Sequence, residues 1–383
     1  MMAPAARTDN SVLGRWWLTI DRWTLFAVTA LVGFGYVMML AASPAVAERI
    51  HTSRDIFIIK QVMFLLLALL VVVGVSLLTP KQVRRLALLG CAVSLLLTAW
   101  TIGHGVDIKG ARRWLTLPGF TLQPSEFVKP CFCVVTAWLL AEGCRTSRWT
   151  GMLAAGAVFA LIVMLLKSQP DMGMLAVVGL VFFVQLFVAG LNLALVGVGA
   201  LMIAGGGVAA YTFFPHVQSR VARFLDPAAG DNYQVSTALE AFGHGGLLGR
   251  GPGEGSVKDV LPDAHADFVF PVMGEEFGLL VCLFVLGIFA FIVLRGLIKL
   301  LKEHDLFVVL AASGLVSSFG LQSFINMASS LHLIPTKGMT LPFVSYGGSS
   351  VLAVALGIGM LLALTRKRGR AELWDFSAMR AGR

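Results

Sequence analysis

Residues 172–190 read MGMLAVVGLVFFVQLFVAG, a run with no charged side chain. At about 1.5 Å of rise per residue, such a helix is about as long as the roughly 30 Å hydrocarbon core of a bilayer is thick. A helix of a water-soluble protein carries a polar stripe, and this run offers little beyond Gln185. Nine other apolar windows accompany it, at 24–43, 58–79, 86–103, 126–142, 151–167, 193–213, 270–296, 306–328 and 342–365. The chain of 383 residues is 57% hydrophobic and 13% charged, too little polar surface to clothe a soluble globule. The expected fold is therefore an all-α polytopic membrane protein of about ten transmembrane helices. The window at 126–142 starts with Glu126, Lys129 and Pro130, and Leu122, Gln123 and Pro124 mark its helix start, where proline is tolerated.

An even number of spans puts both termini on one side. Short flanks rich in Lys and Arg belong in the cytoplasm: Arg15 and Arg22 before the first span, Lys81, Arg84 and Arg85 between the second and third, and Arg366, Lys367, Arg368 and Arg370 after the last. The expected organisation is a cytoplasmic tail over 1–22, one ten-helix membrane domain over 23–366 and a basic cytoplasmic tail over 367–383. Met1 to Arg22 is polar and the first apolar run continues for a full span, so that span reads as an anchor with no cleavable signal peptide. Five cysteines lie in or beside spans without CxxC or Cys/His spacing and read as packing residues. The net charge of +9 is spread in short clusters between spans, which suits anionic lipid headgroups and not nucleic acid.

The segments 104–125 and 214–269 then fall on the extracytoplasmic side, the second as one long loop between the seventh and eighth spans. They and the last external turn carry cations against the positive-inside bias: Lys109, Arg112 and Arg113, Arg220 and Arg223, Arg250 and Lys258, and Lys337. An anionic ligand on that face accounts for them. Arg112 and Arg113 stand beside Trp114, and guanidinium forks suit phosphate oxygens; an interfacial belt is the alternative. Glu126 and Lys129, three residues apart on a helix, either pair with each other or face a protein-lined cavity. Gln169 and Asp171 occupy a tight turn, where Asp171 caps the following helix or lines a cavity entrance. The run Gly243-His-Gly-Gly-Leu-Leu-Gly-Arg-Gly-Pro-Gly-Glu-Gly-Ser256 reads either as an anion-binding backbone nest or as a flexible loop. Next come Asp263, His265, Asp267, Glu275 and Glu276. A helix running from Asp263 puts Asp263, Asp267 and Glu275 on one face, and crowded, desolvated carboxylates rise toward the pKa of a general base. Asp267, at the membrane edge, is the best placed.

Gly110 to Lys129, Gln169 to Asp171, Tyr233-Gln234, the glycine run, His265-Ala-Asp-Phe268, Glu275-Glu276 and Ser345-Tyr-Gly-Gly-Ser-Ser350 together resemble the signatures, in order, of the SEDS family of shape, elongation, division and sporulation proteins. Pro335-Thr-Lys-Gly-Met-Thr-Leu-Pro342 is more similar to its division members than to its elongation members. Met174 and Ala266 stand where the family usually has Thr.

The resemblance implies a peptidoglycan glycosyltransferase that polymerises lipid II at the outer face of the inner membrane during septal synthesis. It implies a class B penicillin-binding protein of the FtsI transpeptidase type, with other divisome proteins, as partners. Asp267 carries over as the catalytic carboxylate. Arg112, Arg113, Trp114, Gln123, Glu126, Lys129, Gln169, Asp171, Arg220, Gln234, His265, Glu276, Lys337 and Ser345 are the expected contacts to lipid II and the growing glycan. No cofactor is called for, and a divalent cation at the pyrophosphate is left open. Two other classes stay in view. A lipid II flippase would use intramembrane polar residues such as Gln185, Gln322 and Asn326, and a non-catalytic scaffold would only recruit the transpeptidase.

Overall fold

The computed structural model describes residues 11–49, 54–108, 111–117, 120–190, 193–225, 233–335 and 338–367. Lys109, Lys337, Arg368 and Arg370 lie outside them. The first helices are α1 (Val12–Thr19), α2 (Arg22–Arg49), α3 (Arg54–Ser76) and α4 (Pro80–His104). Three strands follow, β1 (Val106–Ile108), β2 (Ala111–Leu117) and β3 (Phe120–Leu122), then α5 (Pro124–Arg145), α6 (Arg148–Ser168), α7 (Met172–Val188) and α8 (Leu193–Phe213). The remainder is α9 (Pro215–Leu225), α10 (Tyr233–Gly245), α11 (Val257–Val260), α12 (Val269–Leu300), α13 (Leu306–Ser330) and α14 (Gly348–Leu364).

Each apolar window overlaps one of these helices, but residues 342–347 of the last window precede α14, and 77–79 of the second lie beyond the end of α3. Seven of them, α2 to α6, α12 and α13, are long and apolar enough to cross a bilayer, whereas α7, α8 and α14 are shorter apolar helices. The chain is an integral membrane protein. Its helices begin where local chemistry allows: Thr79 and Gln82 form a reciprocal capping box before α4 with Pro80 at its first position, and Asp305 caps α13 through the Phe307 N–H. α5 and α13 form the centre, 72% and 67% buried over their spans, while only 22% to 28% of α3, α4, α6 and α12 is buried. Leu70, Leu96, Leu153 and Phe284 on those outer helices are more than half exposed, as a hydrocarbon solvent permits.

At the opposite end from the long loops, Asp21 accepts from Arg295 at 2.8 Å and pairs with Lys299 at 2.9 Å, and Trp16 donates to Ser76. These contacts tie α1 and α2 to the ends of α3 and α12.

Two loop expectations change. Segment 104–125 is an antiparallel sheet in the order β1-β2-β3, with Asp107 opposite Arg112 and Leu115 opposite Leu122. Strands of 3 residues are too short to show a period-two pattern, and the 7 residues of β2, ARRWLTL, do not alternate apolar with polar. Segment 214–269 holds α9, α10 and α11, and α10 lies so close on α12 that a Cβ at Gly245 would collide with the Gly274 carbonyl. The helix expected to run from Asp263 is corrected: residues 261–268 form turns, Asp263 has φ +54° and α12 starts at Val269. Asp263 and Asp267 therefore share no helical face. α12 is itself kinked at Gly278, whose φ of +78° only glycine adopts freely.

Candidate active site

α13 organises the end of the bundle that carries the sheet and the long loops. Gln322 and Asn326, one turn apart, lie on the same face about 6 Å from each other along the axis. Gln322 Oε1 accepts from Lys129 Nζ at 2.6 Å, and its amide nitrogen donates to the Thr340 carbonyl at 3.1 Å and to Ser350 Oγ at 3.3 Å. Lys129 is 3% exposed and its ammonium stands 2.8 Å from Glu126 Oε2. A buried cation persists only when paired in this way. Beside it, Pro130, Leu315, Phe319, Val354 and Ile358 line a narrow cleft, about 20 Å³ in volume, that Lys129 and Gln322 also border. It lies between α5, α13 and α14.

Asn326 holds the second half of the site. Its amide nitrogen donates to the Asp267 carbonyl at 2.9 Å and to the Met339 carbonyl at 2.6 Å. Ser345 Oγ donates to the Ala266 carbonyl at 2.6 Å and accepts from the Leu341 N–H, and the Tyr346 N–H donates to the His265 carbonyl at 2.8 Å. The His265 ring packs edge-on against Phe57 and beside Tyr346. Burial pushes the Tyr346 hydroxyl's pKa up. The Asp267 carboxylate runs along Gly338, where an added Cβ would stand 3.1 Å from Oδ2. Phe343, fully buried at φ +63°, marks a turn that packing holds in a conformation bulky residues avoid.

The expected residues Arg113, Gln169 and Asp171 form a third cluster. Arg113 donates to the carbonyls of Gln169 at 2.8 Å and Pro170 at 2.7 Å and stands 3.5 Å from Asp171. Gln169 donates to Thr98 and Thr101 on α4, and Asp171 caps α7 through the Met174 N–H. Arg113 is thus engaged in holding a turn. Arg112, its neighbour on β2, has a side chain 54% exposed and only a 3.9 Å contact to Asp107. Trp114 is half-buried opposite Val106. Gln123 is buried at the α5 start, where its N–H donates to Ser349. Gln234 is half-buried on α10, and Arg220 sits on α9.

Glu276 does not face the cluster around Asp267. It is fully buried, accepts from Lys258 at 2.6 Å and from the Gly253 N–H at 3.0 Å, and leaves no exposed oxygen for a substrate. Glu275 likewise accepts the N–H groups of Ser256 and Val257 and stands 3.5 Å from Arg250. The glycine run does form an anion-binding nest, and the anions in it are the protein's own carboxylates. Ser345 is also fully buried, with its hydroxyl taken by two backbone groups, so it stands behind the site as a support. Among the described residues no three His, Cys, Asp or Glu side chains converge as a metal site. Sequence reasoning gave Asn326 and Gln322 no part in this site. Their spacing of four, as the only amide side chains on an uncharged helix, is the signal that could have found them.

The chain is similar over its whole membrane region to known proteins. A family model described as "Cell cycle protein", for FtsW, RodA and SpoVE, matches residues 22–370. A Caulobacter vibrioides protein named "Probable peptidoglycan glycosyltransferase FtsW" is 44% identical over 368 residues, 95% of this chain and 93% of that one. A protein of the same name from Trichlorobacter lovleyi is 34% identical over 89% of this chain and 92% of its own. Among solved structures, a chain described under "Structural coordination of polymerization and crosslinking by a peptidoglycan synthase complex" aligns with a TM-score of 0.77 at 29% identity, covering 91% of this chain and 98% of that one. The rod shape determining protein RodA of Thermus thermophilus aligns with a TM-score of 0.67 at 29% identity, covering 92% of this chain and 99% of its own. With the matching model spanning residues 22–370 and full-length relatives above 30% identity, the chain belongs to the FtsW, RodA and SpoVE family, the SEDS proteins.

Proposed function

We propose that this chain is a peptidoglycan glycosyltransferase of cell division that polymerises lipid II at the outer face of the inner membrane. All ten apolar helices cross the bilayer in this reading, with both termini and the flanking tails in the cytoplasm. The sheet, the 214–269 loop and the turn before α14 then lie outside. Relatives named peptidoglycan glycosyltransferase support the activity, and the aligned chain from a peptidoglycan synthase complex supports a transpeptidase partner. We take that partner to be a class B penicillin-binding protein at the septum, with other divisome proteins.

The observation that carries the mechanism is the shared face of α13. Gln322 holds the Lys129 ammonium, and one turn later Asn326 holds the backbone of Asp267. The segment that bears the carboxylate and a desolvated cation are thereby held on one helix face, beside an apolar groove between α5, α13 and α14 that this reading gives to the polyprenyl chain. Asp267 takes the proton from the 4-hydroxyl of the acceptor N-acetylglucosamine. That oxygen attacks the anomeric carbon of the growing chain, inverts it and expels undecaprenyl pyrophosphate. Arg112 and Lys337 neutralise the diphosphate, while Lys129, paired with Glu126, and Arg113, bonded to the Gln169 and Pro170 carbonyls, support that end. Trp114, Gln123, Glu126, Gln169, Asp171 and His265 border or support the same end, and Arg220 on α9 and Gln234 on α10 are assigned to lipid II by the family resemblance alone.

The flippase reading loses support from Gln185. It accepts from Thr136 and donates to the carbonyls of Cys133 and Leu310, so it staples α7 to α5 and α13 instead of lining a path. The test is polymerisation of labelled lipid II by the purified chain with its transpeptidase, resolved by length. Wild type should make long glycan and Asp267→Ala none, whereas long glycan from Asp267→Ala at the wild-type rate would remove the assignment.

A further inference from the structure

Three successive carbonyls of the segment that bears Asp267 are each held by a separate donor. His265 accepts from the Tyr346 N–H, Ala266 from Ser345 Oγ and Asp267 from Asn326 Nδ2, at 2.8, 2.6 and 2.9 Å. Residues 261–268 lie in turns, not in a helix or strand; the Ala266 and Phe268 N–H groups close those turns on the Asp263 carbonyl, and the outside donors fix the carbonyls of 265–267 against the rest of the fold. Two of the donors belong to the 338–346 turn, which Asn326 also grips through Met339. Asn326 is the one donor that comes from a rigid helix. It is fully buried, both of its donors are committed to backbone carbonyls, and its Oδ1 is buried without a partner among the described residues. An apolar side chain of equal size would avoid that orphaned acceptor. What the amide supplies is two donors at fixed positions.

We propose that Asn326 is a positioning residue for the glycosyl transfer, pinning the Asp267 segment to α13 in register with Gln322 and Lys129. The inference rests on the reading of Asp267 as the catalytic carboxylate. Loss of the clamp lets the carboxylate drift along Gly338 while the cleft and Lys129 stay as they are. Turnover then falls and lipid II binding does not. A misplacement of about 1 Å costs up to about 10²-fold in rate.

The experiment measures polymerisation of labelled lipid II by the purified chain with its transpeptidase, against lipid II concentration and against pH. The chains compared are wild type, Asn326→Leu, Asn326→Asp and Asp267→Ala. Asn326→Leu should lower kcat about 10- to 100-fold with KM within about threefold. Asn326→Asp has no donor when ionised and one when protonated, so its rate relative to wild type should rise as pH falls, while the ratio for Asn326→Leu stays flat. A role in folding alone gives both variants the same pH-independent ratio. Wild-type kcat in Asn326→Leu, a loss confined to KM, or equal flat ratios overturn the inference. If both Asn326 variants aggregate on gel filtration, Ser345→Ala takes the same measurement: lowered kcat at constant KM supports the clamp and wild-type kcat overturns it. An active Asp267→Ala would instead remove the reading beneath it. An inactive Asp267→Ala beside a fully active Asn326→Leu removes this inference alone.

Discussion

Replacing Lys258 by Met should unlock the glycine run without touching the proposed catalytic segment. Lys258 Nζ lies 2.6 Å from Glu276 Oε1 and 2.7 Å from the Gly253 carbonyl, with side-chain exposures of 8% for the lysine and 0% for the glutamate. Removing the ammonium leaves a buried carboxylate whose remaining donor among the described residues is the Gly253 N–H at 3.0 Å. Breaking one side of a buried pair costs about 3–5 kcal/mol. At about 1.4 kcal/mol per decade that is a local opening equilibrium shifted by roughly 10²- to 4 × 10³-fold. Hydrogen exchange by mass spectrometry on the detergent-purified protein reads it directly, as faster exchange over residues 250–260 with little change in α13. Adding Glu276→Gln removes the stranded charge while keeping an acceptor for Gly253, and the double variant should return to within about 1 kcal/mol of wild type. Exchange in Lys258→Met within threefold of wild type, or a double variant no better than the single, would refute the reasoning.

Gly338→Ala places a methyl 3.1 Å from Asp267 Oδ2 and should cut polymerisation about tenfold with unchanged melting, read as rate against Tm. Arg112→Gln and Arg113→Gln should separate. The exposed Arg112 should raise the KM for lipid II in a salt-sensitive way, and Arg113, bonded to Gln169 and Pro170, should lower Tm. Asp21 gives a pH dependence. Burial raises its pKa, but hydrogen bonds from Arg295 and Lys299 and the Lys299 charge outweigh that and hold it below the ordinary carboxylate value. A folded-state pKa below the unfolded one contributes stability above the unfolded value of 3.8, and this is lost as pH falls through the folded value. The Tm difference between wild type and Asp21→Asn should therefore be full at neutral pH and shrink only below about pH 4.

Part of the site was legible because its chemistry is local. Asp171 as a helix cap and Glu126 with Lys129 at a spacing of three follow from short-range rules, and both contacts are present. The division of labour among the acids was not legible. Asp267 stands out in sequence by its place at the membrane edge, but Glu276 reads there as a substrate contact, whereas Glu275 and Glu276 are absorbed by Arg250, Lys258 and the backbone N–H groups of a folded-back glycine run. Nothing local announces that α12 kinks at Gly278 and receives that run, with the Leu279 N–H donating to the Gly246 carbonyl.

The membrane architecture is what the sequence by itself determined. A span must be apolar residue by residue and closes its backbone hydrogen bonds within itself, so every apolar window of the chain could be read without knowing its neighbours. Only the tertiary structure decided which polar groups meet. Lys129 finds Gln322 at a separation of 193 residues, Ser345 finds Ala266 at 79 and Asn326 finds Asp267 at 59. Desolvated charges and backbone carbonyls are satisfied by whichever donor the packing of α5, α13 and α14 delivers, and that choice is written in no single segment.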